Sequence, residues 1–351
     1  MSSTQILSAD TAGIATAAAL LRAGELVAFP TETVYGLGGD ALRPSAVAAI
    51  FAAKGRPASD PLIVHLASPD DLPRVTVSVP PVAERLATAF WPGPLTLVLP
   101  RAPNVPLAVT AGGPTVAVRL PAHPVARALI AAAGSPIAAP SANRFGHTSP
   151  TSAAHVLADL DGRIAAVVDG GPTPIGVEST VLDLSTPVPT LLRPGGVSLE
   201  ALRELLGEVA LGSRASPKET MRSPGLLERH YAPESALWLV VGPTDPARAW
   251  LRTEAEADLA AGRTVGLLVP DEDAALFAGL GAAIEPLGPA DDHAAIARRL
   301  YAALRALDAR APGRILARDF GTSGLARALR DRLARAAAGR VVLLQGLTRQ
   351  D

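Results

Sequence analysis

Short apolar runs alternate with longer segments of helical periodicity along this chain. The first helical segment, over residues 13–21, is predicted to be a helix that is capped by Ser8 or Asp10 and ends at Gly24. Strands are predicted at the short apolar runs, 25–29, 62–66, 95–99, 115–120, 136–139, 165–169, 176–184 and 190–196. Helices are predicted between them at 44–53, 82–90, 123–133 and 152–160. This alternation is typical of an α/β fold.

The apolar periodicity is interrupted at 212–234, where Ser, Pro, Lys, Arg and Glu replace it. We therefore predict a domain over 1–211, a linker over 212–234 and a smaller domain over 235–351. In the smaller domain, strands at 236–241 and 264–269 alternate with helices at 245–261, 293–308 and 325–338, as in a doubly wound, Rossmann-like fold. The linker carries His230 and Tyr231 where a spacer needs only Ser and Gly, and we expect it to act as an active-site lid.

Composition excludes several classes of protein. A length of 351 residues suggests two domains, and the formal net charge of -1 predicts no general affinity for polyanions. The sequence has no cysteine, which excludes disulfides, thiolate zinc sites and cysteine nucleophiles, and we expect a cytoplasmic protein. No uncharged apolar run is long enough to cross a bilayer, so we expect no membrane span.

Two cations follow the predicted helix at 44–53. Lys54 and Arg56 are separated by one glycine, and Pro57 and Pro61 restrict the backbone after them. An arginine fork beside a lysine point charge suits a polyphosphate. The alternative is a solvated helix end, where cations only complement the helix dipole.

Further polar residues follow other predicted strands. The segment 31–40 is predicted to be a polar, glycine-rich turn that carries Thr33, and Arg119, Ser141 and Asn143 also lie at strand ends. Each is an ordinary turn or surface residue when taken singly, and a histidine inside a strand, such as His65, is more often a core residue. Because a sheet brings such ends to one edge, we expect them to form one pocket.

No motif for covalent catalysis is present. The chain has no nucleophile elbow, no H-E-x-x-H helix and no phosphate loop, and Gly36-x-Gly38-x-x-Ala41 matches the dinucleotide fingerprint only loosely. Two cations and several small polar groups instead favour transfer at a nucleotide phosphate, driven by positioning and charge stabilisation.

Six segments in chain order are distinctive when taken together. They are Phe29-Pro-Thr-Glu-Thr-Val-Tyr-Gly-Leu, Lys54-Gly-Arg56-Pro with Pro61-Leu and His65, Trp91-Pro-Gly-Pro-Leu-Thr, Ala139-Pro-Ser141-Ala-Asn143, Glu178-Ser179-Thr-Val and Leu192-Arg193-Pro-Gly. Together they resemble one family, the YrdC-type threonylcarbamoyl-AMP synthases in their long, two-domain form. The resemblance implies a YrdC-like twisted mixed-sheet domain followed by a smaller Rossmann-like α/β domain.

The resemblance also implies a reaction. L-threonine, bicarbonate and ATP with Mg²⁺ would give threonylcarbamoyl-AMP and pyrophosphate, the first step towards N6-threonylcarbamoyladenosine at position 37 of tRNA. No protein side chain is expected to hold the metal. The adenylate would pass to a threonylcarbamoyl-transferase machinery, and a weak contact with tRNA is a further expectation.

Site residues are carried over by motif. The resemblance implies that Lys54, Arg56, Ser141 and Asn143 are catalytic. It implies threonine contacts by Thr33, His65, Arg119, Ala139 and Ser179, and ATP contacts by Arg56, Asp60, Thr115, Ser141, Ser149, Arg193 and Tyr231. Asp60 departs from the asparagine that is usual in the family before Pro-Leu. Its carboxylate would therefore point away from ATP, bind it through metal, or weaken its affinity.

Two other functions share this domain. An RNA-binding YrdC-like module is disfavoured by the near-neutral charge and by the lack of a basic stripe with aromatics. A carbamoyl-transfer maturation factor is disfavoured because that family carries zinc-finger cysteines, whereas this chain has none.

Overall fold

The computed structural model describes residues 3–212 and 230–344. These residues form two compact units, one of residues 3–145 and 149–212 and the other of residues 146–148 and 230–344. The sequence did not indicate that 146–148 belongs with the second unit. Most of the predicted linker, residues 213–229, lies outside the described residues, and the predicted domain boundaries stay a prediction.

The first unit is built on one mixed sheet. Its strands, within the described residues, are β1 Gln5–Ser8, β2 Val27–Pro30, β3 Tyr35–Asp40, β4 Ile63–His65, β5 Leu95–Pro100, β6 Thr115–Arg119, β7 Ile137–Ala138, β8 Ala166–Asp169, β9 Thr180–Asp183, β10 Thr190–Arg193 and β11 Ala210–Leu211. They are ordered β1-β8-β2-β3-β7-β4-β6-β5-β9-β10-β11, with parallel and antiparallel pairs.

Helices cover both faces of this sheet. They are α1 Thr11–Ala23, α2 Pro44–Lys54, α3 Pro81–Phe90, α4 Pro124–Ala133, α5 Ala153–Leu160 and α6 Leu199–Leu206, with 3-10 turns at Pro69–Arg74 and Leu107–Thr110. One apolar core joins α1 and α4 to Phe29 of β2. A second core joins α2, α3 and α5 to Leu37 of β3 on the other side. The predicted mixed α/β class is confirmed.

The glycine-rich segment 31–40 is not one turn, and that prediction was wrong. Residues 35–40 form β3, which pairs antiparallel with β2. A Cβ at Gly38 would lie 2.7 Å from the Phe29 ring, and a Cβ at Gly36 would lie 3.2 Å from the Cβ of Ala139. The glycines therefore allow neighbouring side chains to pack closely against the strand. Because they have no side chains, the alternation of apolar and polar residues that predicts a strand is absent from the sequence here.

Local signals at the helix ends set the position of the cations. The Asp10 side chain caps α1, and Gly24 closes it in the left-handed conformation, as predicted. Helix α2 begins at Pro44 and ends at Lys54, and Gly55 follows with φ 65°. This left-handed residue ends the helix, so Lys54 lies in its last turn and Arg56 just beyond it.

The second unit has a parallel sheet. Its strands are β12 Ala236–Val241, β13 Val265–Val269, β14 Ala283–Pro286, β15 Arg314–Arg318 and β16 Val341–Leu343, and its helices are α7 Thr244–Ala260, α8 Asp271–Phe277, α9 His293–Asp308 and α10 Gly324–Ala337. The strand order is β14-β13-β15-β12-β16. All four strand pairs run parallel, which confirms a Rossmann-like arrangement. No helix of the described ranges is both long and apolar enough to span a membrane.

Candidate active site

Arg119 ends β6 and is held by groups from two loops. Its Nη2 lies 2.5 Å from Oε1 of Glu32, and its Nη1 donates a hydrogen bond of 2.9 Å to Oγ1 of Thr33. Its Nε donates to the carbonyl oxygen of Gly93. Glu32 and Thr33 lie between β2 and β3, and all three side chains are buried. The cluster is a fixed, ion-paired guanidinium beside a hydroxyl group.

His65 lies next to this cluster, one strand away. It is in register with Arg119 on the parallel strands β4 and β6, and its ring meets the Phe29 ring edge-on at 6.5 Å. Burial, together with the positive charge of Arg119, lowers the pKa of His65 to about 3. The imidazole is therefore neutral at physiological pH, and it can act as a hydrogen-bonding group beside a cation.

Lys54 is buried without a carboxylate partner in the described part of the chain. Its Nζ donates hydrogen bonds to the carbonyl oxygens of Ser141 and Asn143, at 2.6 and 2.5 Å. Burial lowers the pKa of Lys54 well below its ordinary value, and the nearby charge of Arg56 lowers it further. The carboxylates of Asp60 and Asp159 act in the opposite direction but form no ion pair with Lys54 among the described residues, so an anion that reached the ammonium group would be favoured.

Arg56 and Asp60 form a buried ion pair. Nη2 of Arg56 lies 2.9 Å from Oδ1 of Asp60, and the guanidinium also donates to the backbone carbonyl oxygens of Asp60 and Pro61. Asp60 is fully buried. Its carboxylate is thus directed at Arg56, and this pairing weakens the positive charge that Arg56 can offer to a phosphate.

Ser179 and Arg193 meet at the end of β9 and β10. Arg193 donates from Nη2 to Oγ of Ser179 and from Nε to its carbonyl oxygen, both at 3.1 Å. Oγ of Ser179 also lies 2.8 Å from Oγ1 of Thr96, which pairs in register with Arg119. The hydroxyls of Ser179 and Thr96 therefore connect the Arg193 group to the Arg119 group.

The segment 139–143 lies between β3 and β4. The Ala139 amide donates to the carbonyl oxygen of Ile63, and Ser141 bridges to Gly36. The carbonyl oxygens of Ser141 and Asn143 hold Lys54 at one end of this segment. At its other end, Ala139 pairs with β4, the strand that ends at His65. The segment thus lies between the predicted phosphate side and the predicted threonine side.

Three further predicted residues have contacts of their own. Thr115 begins β6 opposite Pro100, about 13 Å along the strand from Arg119. Ser149 donates a hydrogen bond of 2.6 Å to the buried Glu178. Tyr231 belongs to the second unit, where it is buried in a left-handed conformation, φ 61°, stacked on Tyr301 and beneath the Arg332 guanidinium.

Sequence reasoning missed two residues of the Arg119 cluster. The local sequence marks Glu32 only as a turn residue and gives no role to Thr96, although both lie in the family-like segments that begin at Phe29 and Trp91. Their importance depends on pairings between distant strands. Within 3–212 and 230–344, no three His, Cys, Asp or Glu side chains group closely enough to hold a metal ion.

Two family models match most of the chain. Residues 19–195 match a model described as telomere recombination, and residues 197–338 match one described as threonylcarbamoyl-AMP synthase, C-terminal domain. The chain is 45% identical over 331 residues to a threonylcarbamoyl-AMP synthase of Pyrococcus abyssi, covering 93% of this chain and 94% of the relative. The chain belongs to the threonylcarbamoyl-AMP synthase family.

Two further comparisons cover almost the whole chain. A threonylcarbamoyl-AMP synthase of Bacillus subtilis is 45% identical over 97% of both chains. The crystal structure of P. abyssi Sua5 complexed with L-threonine matches with a TM-score of 0.91 and 43% identity, over 97% of this chain and all of that one. Membership in the threonylcarbamoyl-AMP synthase family confirms the resemblance seen in the sequence.

Proposed function

We propose that this chain is an L-threonylcarbamoyladenylate synthase, a nucleotidyltransferase that converts L-threonine, bicarbonate and ATP into threonylcarbamoyl-AMP and pyrophosphate. This reaction would be the first step of N6-threonylcarbamoyladenosine formation in tRNA. The observation that carries the proposal is the buried cluster of Arg119, Thr33 and His65, because its chemistry suits an amino acid. A similar protein was crystallised with L-threonine.

The threonine side follows from the groups in this cluster. A guanidinium binds a carboxylate through two parallel hydrogen bonds, so Arg119 is suited to the threonine carboxylate. Glu32 already occupies Nη2 of Arg119, and the incoming carboxylate would compete with it or share it. The neutral His65 and the hydroxyls of Thr33 and Ser179 are suited to the polar groups of the amino acid, and Ala139 leaves room for its methyl group.

The phosphate side follows from the uncancelled charge of Lys54. Bicarbonate and the threonine amine would first condense to a carbamate with loss of water. A carbamate oxygen would then attack the α-phosphate, and the bond to pyrophosphate would break. Lys54, Arg56 and Arg193 would stabilise the charge that moves onto the leaving group, and Ser141, Asn143 and Ser149 would orient the phosphates. Mg²⁺ would arrive with ATP, and no step here depends on a metal held by the protein.

The test is a reconstituted reaction. Purified full-length protein is given ATP, bicarbonate and labelled L-threonine, and pyrophosphate and labelled adenylate are measured. We expect both products only when all three substrates are present, with D-threonine as the matched inactive control. Pyrophosphate release that is indifferent to L-threonine would overturn the proposal.

Several expectations from the sequence stay proposals. We propose contacts with ATP by Asp60, Thr115 and Tyr231, transfer of the adenylate to a threonylcarbamoyl-transferase machinery, a weak contact with tRNA, and a cytoplasmic location. The lid predicted for the linker falls mainly on 213–229, outside the described residues. Removal of the chain after Gly212 tests it, and unchanged ATP affinity and unchanged hydrolysis of the adenylate would refute it.

A further inference from the structure

The strand order of the second unit creates a crevice at one edge of its sheet. From β12 the chain crosses β15 to reach β13, and from β15 it crosses β12 to reach β16. The two crossings run in opposite directions, so right-handed connections place α7 and α10 on opposite faces of the sheet. Adjacent strands whose connections separate in this way leave a crevice at their carboxyl ends, where ligands bind in open α/β sheets.

A cavity of about 550 Å³ lies at this point. The residues after β12, Gly242 to Thr244, form one wall, and those after β15, Asp319 to Thr322, form another. The volume is within the range of small-molecule sites and is far larger than a phosphate ion needs. The cavity therefore has room for an organic group as well as an anion.

Three arginines line the cavity with incompletely used guanidinium groups. Arg248 and Arg318 share the buried carboxylate of Asp273, and Arg248 also contacts the exposed Asp245. Arg330 lies 3.6 Å from Asp319. Among the described residues, no group accepts a hydrogen bond from Nη2 of Arg248, from Nη2 of the buried Arg318, or from the guanidinium of Arg330. Unused donors for an anion are therefore left on all three arginines.

The amino end of α7 adds to the positive potential. This helix of 17 residues starts after Pro243, which provides no side-chain cap, so its first amides have no acceptor within the helix. The positive end of the helix dipole and these amides favour phosphate oxygens. Phe320 forms an aromatic part of the wall, with the Arg318 guanidinium 5.5 Å from its ring centre.

We infer that the cavity between the ends of β12 and β15 is a second ligand site, which binds a nucleoside monophosphate. The phosphate contacts the start of α7 and the arginines, and the base lies against the wall that contains Phe320. This site lies wholly in the second unit, and it is independent of the reaction proposed for the first.

The test reads binding at Phe320 itself. The full-length protein is prepared with 4-fluorophenylalanine, and its six fluorine resonances are followed during titration with AMP, ribose 5-phosphate, inorganic phosphate and adenosine. Replacement Phe320→Leu assigns the resonance of interest. The first unit contains four of the other phenylalanines, so binding of AMP there is read separately. We expect a saturable shift of Phe320 with AMP, a weaker response to ribose 5-phosphate and phosphate, and none to adenosine.

Two matched variants test the charge argument. Thr322 is exposed at the cavity, so Thr322→Glu adds a carboxylate without removing a described contact, and Thr322→Gln adds the same bulk without charge. We expect Thr322→Glu to weaken AMP about tenfold relative to Thr322→Gln, since one unfavourable charge contact at a partly exposed site is worth about 1.4 kcal/mol. Arg330→Gln should also weaken AMP, whereas Arg299→Gln, at an exposed position outside the cavity, should not.

Three results would overturn the inference. One is a Phe320 resonance that AMP does not move while the resonances of the first unit respond. Another is equal affinity of the two Thr322 variants. The third is phosphate binding as tight as AMP binding, which would refute the nucleoside part. None of these results bears on pyrophosphate formation from threonine, so failure here and failure of the proposed synthase activity are distinguishable.

Discussion

Lys54 in the first unit and Arg318 in the second are both buried cations at the ends of regular elements, but they are compensated differently. Two backbone carbonyl oxygens hold Lys54, whereas the carboxylate of Asp273 holds Arg318. A carbonyl dipole fixes a cation and leaves its net charge, and a carboxylate removes it. We therefore expect Lys54 to offer its charge directly to a ligand, whereas Arg318 keeps its pair with Asp273 and offers only the donor that this pair leaves unused.

The Arg119–Glu32 pair tests this comparison within the first unit and carries the largest expected effect. Arg119→Gln should lower the free energy of unfolding by about 3–5 kcal/mol, because Glu32 is left buried without a counter-ion. The double variant Glu32→Gln/Arg119→Gln should regain most of that loss and still fail to use threonine. Urea unfolding and the KM for threonine are the measurements. A double variant as unstable as the single one would contradict this explanation.

Replacement of the two compared cations by methionine should separate them. Lys54→Met should slow pyrophosphate formation about 10²–10³-fold, which is the usual cost of losing one charge-stabilising group. It should not lower the free energy of unfolding, because no carboxylate loses its partner. Arg318→Met should lower that free energy by about 1.5–3 kcal/mol, the usual contribution of a hydrogen bond to a charged group, because Asp273 keeps only Arg248, and it should leave pyrophosphate formation unchanged. Equal losses of stability in the two variants would contradict the proposed difference between a cation held by carbonyl oxygens and one held by a carboxylate.

His65 sharpens the comparison, since a proton there would add a second buried charge beside Arg119. Its folded pKa, about 3, lies below the ordinary value of 6.5, so the unfolded chain binds the extra proton between these values. The stability that His65 contributes is fully present above pH 6.5. It should fall as the pH is lowered, by up to about 1.4 kcal/mol per pH unit. The slope should be shallower in His65→Gln, and identical slopes would contradict the assignment.

The smallest expected effect concerns Asp60, where a substitution frees the charge of Arg56 from its carboxylate partner. Asp60→Asn removes the carboxylate that pairs with Arg56, so ATP should bind about tenfold more tightly, as expected when a phosphate meets one more uncompensated charge. The variant should also gain more thermal stability from ATP than the parent chain does. Calorimetric titration with a non-hydrolysable ATP analogue measures the affinity. Unchanged affinity would mean that Arg56 faces away from the phosphates.

Local signals predicted much of the fold. Asp10, one of the two predicted caps, and Gly24 bound α1, and α9 begins at His293 and ends at Asp308 as predicted. These features depend on caps and on periods of a few residues. Strand β3 was missed because Gly36, Gly38 and Gly39 have no side chains to show a period of two.

The site residues were predicted from motifs, but their pairings were not. Thr33 and Arg119 are 86 positions apart, and their contact depends on the order of β2, β3, β7, β4 and β6 in the sheet. Nothing in the local sequence shows that Glu32 faces Arg119 or that Asp60 turns back to Arg56. The sequence indicates which residues lie at the edge of the sheet. Only the folded structure shows which carboxylate pairs with which arginine.

Gly38 has a consequence for how substitutions in this chain are interpreted. The Phe29 ring occupies the space that a side chain at position 38 would fill, and the edge of the same ring contacts His65. Even a methyl group at Gly38 would press on Phe29 and through it on the imidazole, although residue 38 has no functional group of its own. A survey that scores positions by their distance from a bound substrate would classify Gly38→Ala as neutral, whereas we expect it to move the Phe29 ring and, through that ring, His65.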